Sequence, residues 1–380
     1  MFANSGFAQI YAPLPTKTTS ESSSAESRLK ITDLKSRLNI SEATIDTFFS
    51  AFSFDEVQDK SKLIQLAILP TVKIDLLKNL KFTAQGLIGL STGRVQTRFD
   101  NPSFNSLNLN ELVLSYLPIE NLALEVGALN QNHLETPMLV QNRAFPGLQV
   151  KNEFNFSDIL QLGIRAQYSI PNSVSFETDR TENEAMPSFL TQGFDFKLNA
   201  LEWLKIKGQV HHFTFNDLPS VVAFQSGRLG NEVQGVQSAE SQFLYQFDGF
   251  SQSYQFDFLV NARFAPNLNF QMIDNTKAPS SRRRSQWIGV GADVFFKNFS
   301  ITPSLAYFFA ESDSVPALYS DVRLGRNNRE GLSYKLKVNF INSGFGISAN
   351  YIQANLIEPD PVQNDLRTLE FMLELPSVQF

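Results

Sequence analysis

The stretch "QLGIRAQYSI", residues 161–170, places Leu162, Ile164, Ala166, Tyr168 and Ile170 at one parity and Gln161, Arg165, Gln167 and Ser169 at the other. At a helical period these two sets would scramble around the axis; at a period of two they separate onto opposite faces. The stretch reads as a strand with one apolar face and one polar, charged face. Other stretches repeat the division. In "LKFTAQGLIGLS" (80–91), Leu80, Phe82, Ala84, Ile88 and Leu90 oppose Lys81, Thr83, Gln85 and Ser91. In "SYQFDFLVNARF" (253–264), Tyr254, Phe256, Phe258, Val260, Ala262 and Phe264 oppose Ser253, Gln255, Asp257, Asn261 and Arg263. "LSYKLKVNF" (332–340) brings Ser333, Lys335, Lys337 and Asn339 to the polar face. The chain closes on "TLEFMLELPSVQF" (368–380), where Leu369, Phe371, Leu373 and Leu375 alternate with Thr368, Glu370 and Glu374 before a final Phe380. Soluble domains usually end on small, polar, fraying residues.

Composition narrows the classes. The 380 residues contain no cysteine, so neither disulfides nor thiolate metal sites are available, and three histidines leave little for imidazole ligation. A net charge of −6 argues against nucleic acid as a partner, which would need a concentrated basic face. No stretch approaches the ~18 consecutive apolar residues of a spanning helix. A membrane β-barrel is compatible with the slightly negative mean hydropathy, because only every second residue faces lipid. The 35 phenylalanines against 2 tryptophans suit strands in apolar surroundings.

Short breaks at 77–80, 118–121, 157–160, 201–204, 265–267, 297–299 and 341–344 separate pairs of strands, mostly about 40 residues apart, with longer polar loops between them. Short turns at one end and long loops at the other is the organisation of an outer-membrane barrel. Seven turns join fourteen strands, the terminal strand makes fifteen, and "TIDTFFSAFSF" (44–54) supplies the first, although its alternation is poor. The expectation is an all-β, antiparallel up-and-down transmembrane barrel of about sixteen strands over residues 44–380, with fourteen as the lower count. Tyr116, Phe156, Trp203, Phe264, Phe299, Phe340 and Phe345 gather beside the short turns, where an interfacial aromatic girdle lies. Pro70, Pro303 and Pro376 fall inside apparent strands and are expected at bulges or strand ends. The segment 1–43 reads as a signal-peptide remnant ("MFANSGFAQ") followed by a disordered polar tract ("PTKTTSESSSAES", 15–27).

The closing strand and its terminal aromatic resemble the C-terminal assembly signal of outer-membrane barrel proteins, with Phe380 at the terminal position and Val378 at an apolar position ahead of it; Pro376 departs from the usual pattern. The repeated hairpins make the wider architecture similar to that of Gram-negative porins over roughly 44–380. That resemblance implies passive diffusion of small hydrophilic solutes, often through trimers. It also implies recognition by the barrel assembly machinery, and outer-membrane lipid and lipopolysaccharide as surroundings. No cofactor, metal or nucleic acid is expected.

Apolar-out alternation turns Lys81, Glu125, Lys151, Glu153, Arg165, Asp195, Lys197, Lys205, Lys207, Asp257, Arg263, Asp293, Lys335, Lys337 and Glu370 into the lumen. So many charges would be prohibitive in a dry core, and a water-filled channel removes that cost. Nine are basic and six acidic, which predicts a weak anion preference. The connection 215–252 carries Val221, Val222 and Phe224 followed by Gly227, Arg228 and Gly230; it is expected to fold inward and narrow the lumen, with Arg228 near the constriction. Two alternatives remain at this stage. A barrel enzyme would use His211 or His212 with Asp217, though no serine motif accompanies them. A transporter of hydrophobic compounds would need an apolar path that the polar inner face does not offer.

Overall fold

The computed structural model describes residues 39–56, 60–96, 105–141, 143–171, 184–235, 237 and 239–380. Expectations for residues 1–38 lie outside the described residues. Sixteen antiparallel strands form one closed sheet: β1 Ile40–Glu56, β2 Lys60–Leu77, β3 Leu80–Gln96, β4 Asn105–Ile119, β5 Leu122–Asn130, β6 Ala144–Asn155, β7 Leu160–Ser169, β8 Ser188–Leu201, β9 Leu204–Asn216, β10 Phe247–Phe258, β11 Phe264–Asn275, β12 Arg284–Phe295, β13 Phe299–Ala310, β14 Arg329–Phe340, β15 Gly346–Leu356 and β16 Leu366–Glu374. Each pairs with its chain neighbours, and β1 closes the ring on β16 through registers such as Phe52↔Glu370. Closure satisfies the backbone donors and acceptors internally, which a sheet in hydrocarbon requires.

The distribution of side chains inverts that of a soluble protein. On β7, Ile164 is 50% and Tyr168 48% exposed, whereas Gln167 and Ser169 are buried. The alternation seen in the sequence therefore separates a lipid-facing surface from an inner wall. Tyr116, Phe156, Trp203, Phe264, Phe340 and Phe345 are exposed at the short-turn end, and Trp203 stacks on Phe258.

Six of the seven short turns lie at or within about two residues of their expected places. The seventh does not. Ala265, Pro266 and Asn267 pair with Asp293, Ala292 and Gly291 inside the β11–β12 ladder, and the turn spans 259–263 instead. There the Asn261 side-chain oxygen accepts from the Arg263 amide, an Asx turn that ends the apparent alternation at Phe258. Arg263 is consequently an exposed turn residue and not part of the inner wall. The barrel itself begins at Ile40, four residues ahead of the expected boundary. The alternation of β1 looked poor because its inner face carries Phe48, Phe52 and Phe54, so both faces are apolar; Phe48 packs with Ala67, Leu69, Leu87 and Met372.

The prolines sit where a missing donor is tolerated. Pro70 faces Gly86 at a gap in the β2–β3 ladder between Ile68↔Ile88 and Thr71↔Gln85, and a Cβ on Gly86 would lie 3.5 Å from the Pro70 ring. Pro303 occupies the corresponding gap in β12–β13, between Gly291↔Ser304 and Val294↔Ile301. Pro376 separates β16 from a two-residue continuation, Val378–Gln379. The Leu375 amide donates to Thr47 while Val378 pairs with Ile45, so one extra residue is accommodated between them. This bulge explains the change of parity in the sequence: it returns Val378 and Phe380 to the outer face with Phe371 and Leu375.

At the long-loop end the connections fold into the barrel. Leu134, Leu139 and Val140 from 131–143, Val221 and Val222 from the connection 217–246, and Val315, Leu318 and Tyr319 from 311–328 join one buried cluster. It also includes the inward-facing Phe145, Phe189, Phe213, Phe215 and Phe308. Tyr319 stacks on Phe215 and meets Phe145 edge-on, with centroids 5.7 and 5.5 Å apart. The connection 217–246 contains one helix, α1 (Ser220–Gly227), and residues 247–252 belong to β10 rather than to the loop.

Candidate functional site

Between the outer cluster and the short-turn end, the inner wall carries paired charges at several levels. Lys151 meets Glu125 at 2.8 Å and Lys337 meets Glu374 at 2.9 Å. Arg165–Asp195 and Lys207–Asp257 are looser, at 4.0 Å each. Asp293 accepts from the Thr302 hydroxyl. Arg323, from the inserted 311–328 connection, holds Asp321 at 2.9 Å and reaches Glu370 on the wall at 3.9 Å. Burial and these two carboxylates act on Arg323 in opposite senses, and the net shift raises its pKa.

Of the pore-lining residues expected from the sequence, Arg165, Asp195, Lys205, Lys207, Asp257, Asp293, Lys335 and Lys337 share the parity of the inner wall. Lys197 lies directly opposite Lys207, Lys205 opposite Asp257, and Lys335 opposite Asn350. Lys197, Lys205 and Lys335 are exposed and have no ion-pair partner among the described residues. Parity also brings Glu42, Asp46, Glu111 and Glu374 inward, with Lys73 at 2.6 Å from Glu42, so the wall is more evenly balanced than the strands quoted from the sequence suggest. Arg228 follows α1 with its guanidinium 4.4 Å above the Phe224 ring, which folds it onto its own helix. Val378 and Phe380 lie on the lipid face, 51% and 40% exposed, and the Phe380 amide donates to Ala43.

The histidines are divided by the wall. His211 faces inward beside Gln209, at 3.2 Å. His212 faces outward, 2.9 Å from Asp248 and edge-on to Phe250. Among the described residues, neither makes a hydrogen bond or ion pair with Asp217.

Several polar anchors of the inserted loops were not singled out in the sequence. Asn231 donates to the carbonyls of Ser312 and Val315 at 2.6 and 2.9 Å and accepts from the Ala317 amide at 2.7 Å. Asn327 donates to the same two carbonyls. Arg326 donates to the carbonyls of Ala317 and Leu318, and Arg143 to Leu318. Asp313 accepts from the Glu232 amide at 3.0 Å, yet burial pushes its carboxyl up to about 6. A signal for this region was present: residues 311–328 carry Val315, Leu318, Tyr319 and Leu324 in a connection too long for a simple turn.

A closed sixteen-stranded ring with an apolar exterior, an aromatic girdle and a charged interior is the fold of a transmembrane β-barrel, with short turns at one end and long connections at the other. No protein-family model matches the chain, and neither does any curated protein. Among solved structures, it is similar to OprB of Pseudomonas putida at high pH, with 13% identity, a TM-score of 0.58, and 88% of this chain and 94% of that one covered. The low-pH structure of the same protein gives 10% identity, a TM-score of 0.51, and coverage of 88% and 92%. This likeness is one of fold.

Proposed function

We propose that the protein is an outer-membrane channel through which small hydrophilic solutes and ions diffuse passively, with a weak preference for anions. The observation that carries the reading is the inner wall itself. Charged and amide side chains from most of the strands line it, and many of these groups are only partly buried or exposed toward the lumen. A wall of this kind is stable only against water. The anion preference rests on the exposed, unpaired Lys197, Lys205 and Lys335, since most of the other basic residues have carboxylates nearby. Screening confines such a bias to about 10 Å at 0.1 M salt, so it is strongest at low salt. The inserted connections 217–246 and 311–328 narrow the outer mouth, and the reading keeps Arg228 beside that constriction.

Assembly as a homotrimer, surroundings of outer-membrane lipid and lipopolysaccharide, and recognition of Phe380 and Val378 by the barrel assembly machinery belong to the same proposal. Reconstitution in planar bilayers tests it: discrete conductance steps are expected, with a reversal potential under a KCl gradient displaced toward anions. A barrel that folds but never conducts would overturn the reading.

A further inference from the structure

Glutamine side chains form a hydrogen-bonded chain on the inner wall beneath the short turn that opens the 131–143 connection. Gln149 Nε2 donates to Gln167 Oε1 at 2.8 Å, Gln167 Nε2 donates to Gln131 Oε1 at 2.8 Å, and Gln131 Nε2 donates to the Leu129 carbonyl at 2.7 Å. Gln167 Nε2 also reaches Ser169 Oγ, whose hydroxyl donates to the Phe189 carbonyl. The chain ends on backbone carbonyls, which can only accept, so every amide orientation along it is set. At its head, Gln149 presents its NH₂ group to His133 Nε2 at 3.4 Å, while His133 Nδ1 lies 2.9 Å from the Asn130 carbonyl. Both contacts are satisfied only by the neutral tautomer with its proton on Nδ1. A second proton on Nε2 would set donor against donor.

The charges around the imidazole act in the same direction. Lys151 on β6, Arg165 on β7 and His211 on β9 face it, and each opposes a positive His133. The carboxylates in the neighbourhood, Glu125 on β5, Glu153 on β6, Asp195 on β8 and Glu135 on the turn itself, act chiefly on Arg165. Desolvation, first, and Arg165, second, hold the His133 imidazole well below its ordinary range. The wall under the turn is also poorly satisfied. Arg165 Nε, Thr191 Oγ1, His211 Nδ1 and Ser251 Oγ are buried without hydrogen-bond partners, and Arg165, Gly193, His211 and Ser251 follow one another in register across β7 to β10.

We propose that the turn Gln131–Leu134 is an acid-opened lid, released from the inner wall when His133 takes up a proton and loses its hydrogen bond from Gln149. The closed state is held by the apolar seat of Leu134, by the Gln209 amide donating to the Leu134 carbonyl, and by the glutamine chain. The open state hydrates His133 and restores its ordinary pKa of about 6.5. Because the open state binds the proton and the closed state resists it, closure is unaffected above that pH and weakens as pH falls below it, by up to about tenfold per pH unit.

The inference rests on the channel reading, and the experiment separates the two. In planar bilayers the open fraction is recorded between pH 7.5 and 4.5. The wild-type channel is expected to open progressively below about pH 6.5, and His133→Gln to lose this opening on acidification. The chain has no cysteine, so Thr191→Cys, buried on the inner wall opposite Gln167, provides a second readout in detergent and leaves the glutamine chain intact. Its labelling by a polar maleimide, normalised to the exposed Lys297→Cys, is expected to rise on acidification and to stay low when His133→Gln is added. A barrel silent at every pH removes the channel reading. A conducting barrel whose wild-type form shows no opening on acidification, or labelling of Thr191→Cys that is equal at both pH values, overturns the lid alone.

Discussion

The buried guanidinium of Arg329 donates from Nη2 to Glu56 Oε1 at 2.8 Å, joining the start of β14 to the outer end of β1 across 273 positions of sequence. The same group donates to the carbonyls of Gly325 and Asn364, and the Asn364 amide donates to Glu56. One arginine thus ties two of the long connections to the strand that closes the ring. Removing one partner of a buried pair leaves an uncompensated charge, at a cost of ~3–5 kcal/mol. Arg329→Met should lower the thermal midpoint of the detergent-solubilised barrel, and adding Glu56→Gln should recover part of the loss. An unchanged midpoint in the single variant would show that the pair contributes nothing to barrel stability.

Asp313 gives the outer mouth a pH dependence opposite in sense to that of the lid. Its carboxyl is raised to about 6 by burial, against an ordinary value near 3.9. The protonated form favours the packed loop, so this contribution is complete below the ordinary value and is lost as pH rises through about 6. Hydrogen exchange of residues 311–328, corrected for the intrinsic rise of the chemical rate with pH, should therefore accelerate between about pH 4 and about pH 6, and Asp313→Asn should flatten the change.

Asn231 couples the two deepest insertions, since its side chain carries both directions of hydrogen bonding to 312–317. Deleting 220–238 should raise single-channel conductance by removing α1 and this anchor together. Asn231→Ala should give a smaller, noisier increase, because the apolar seat of Val315 and Tyr319 persists. Equal conductance in all three proteins would remove the connection 217–246 from the constriction.

Lys335 and Lys337 lie on one face of β14, with Lys337 bound to Glu374 and Lys335 unpaired. Changing both to glutamate should move the reversal potential toward cations, most at low salt. Clear cation selectivity in the unmodified channel would place control of entry with the acidic loops instead.

Phe380 sits on the lipid face, 40% exposed, with its amide donating to Ala43. Deleting it should leave the folded barrel close to its original stability and yet reduce the amount assembled in the outer membrane, with unfolded protein left in the periplasm. Undiminished assembly under strong expression would argue against a role in recruitment.

The alternation in "QLGIRAQYSI", repeated along the chain between short turns and long loops, was enough to expect a membrane barrel, because a period of two places lipid-facing and lumen-facing residues on separate parities wherever the strand lies. Turn spacing gave the strand number for the same local reason. Where a strand is apolar on both faces, as at Phe48, Phe52 and Phe54, or where an Asx turn at Asn261 interrupts an apparent alternation, the pattern lost its meaning. Parity assigned Arg165, Lys207 and Lys337 to the inner wall, but their partners Asp195, Asp257 and Glu374 come from other strands, the last of them two strands away, whose register is set by the folded sheet. The filling of the outer mouth lay further beyond local reading. Leu134, Val222 and Tyr319 come from three connections without regular alternation, and they meet only because closure of the ring creates an apolar cavity for them. The hydrogen-bonding direction imposed on His133 likewise follows from amides on separate elements, ending on a carbonyl that the sequence does not distinguish from any other.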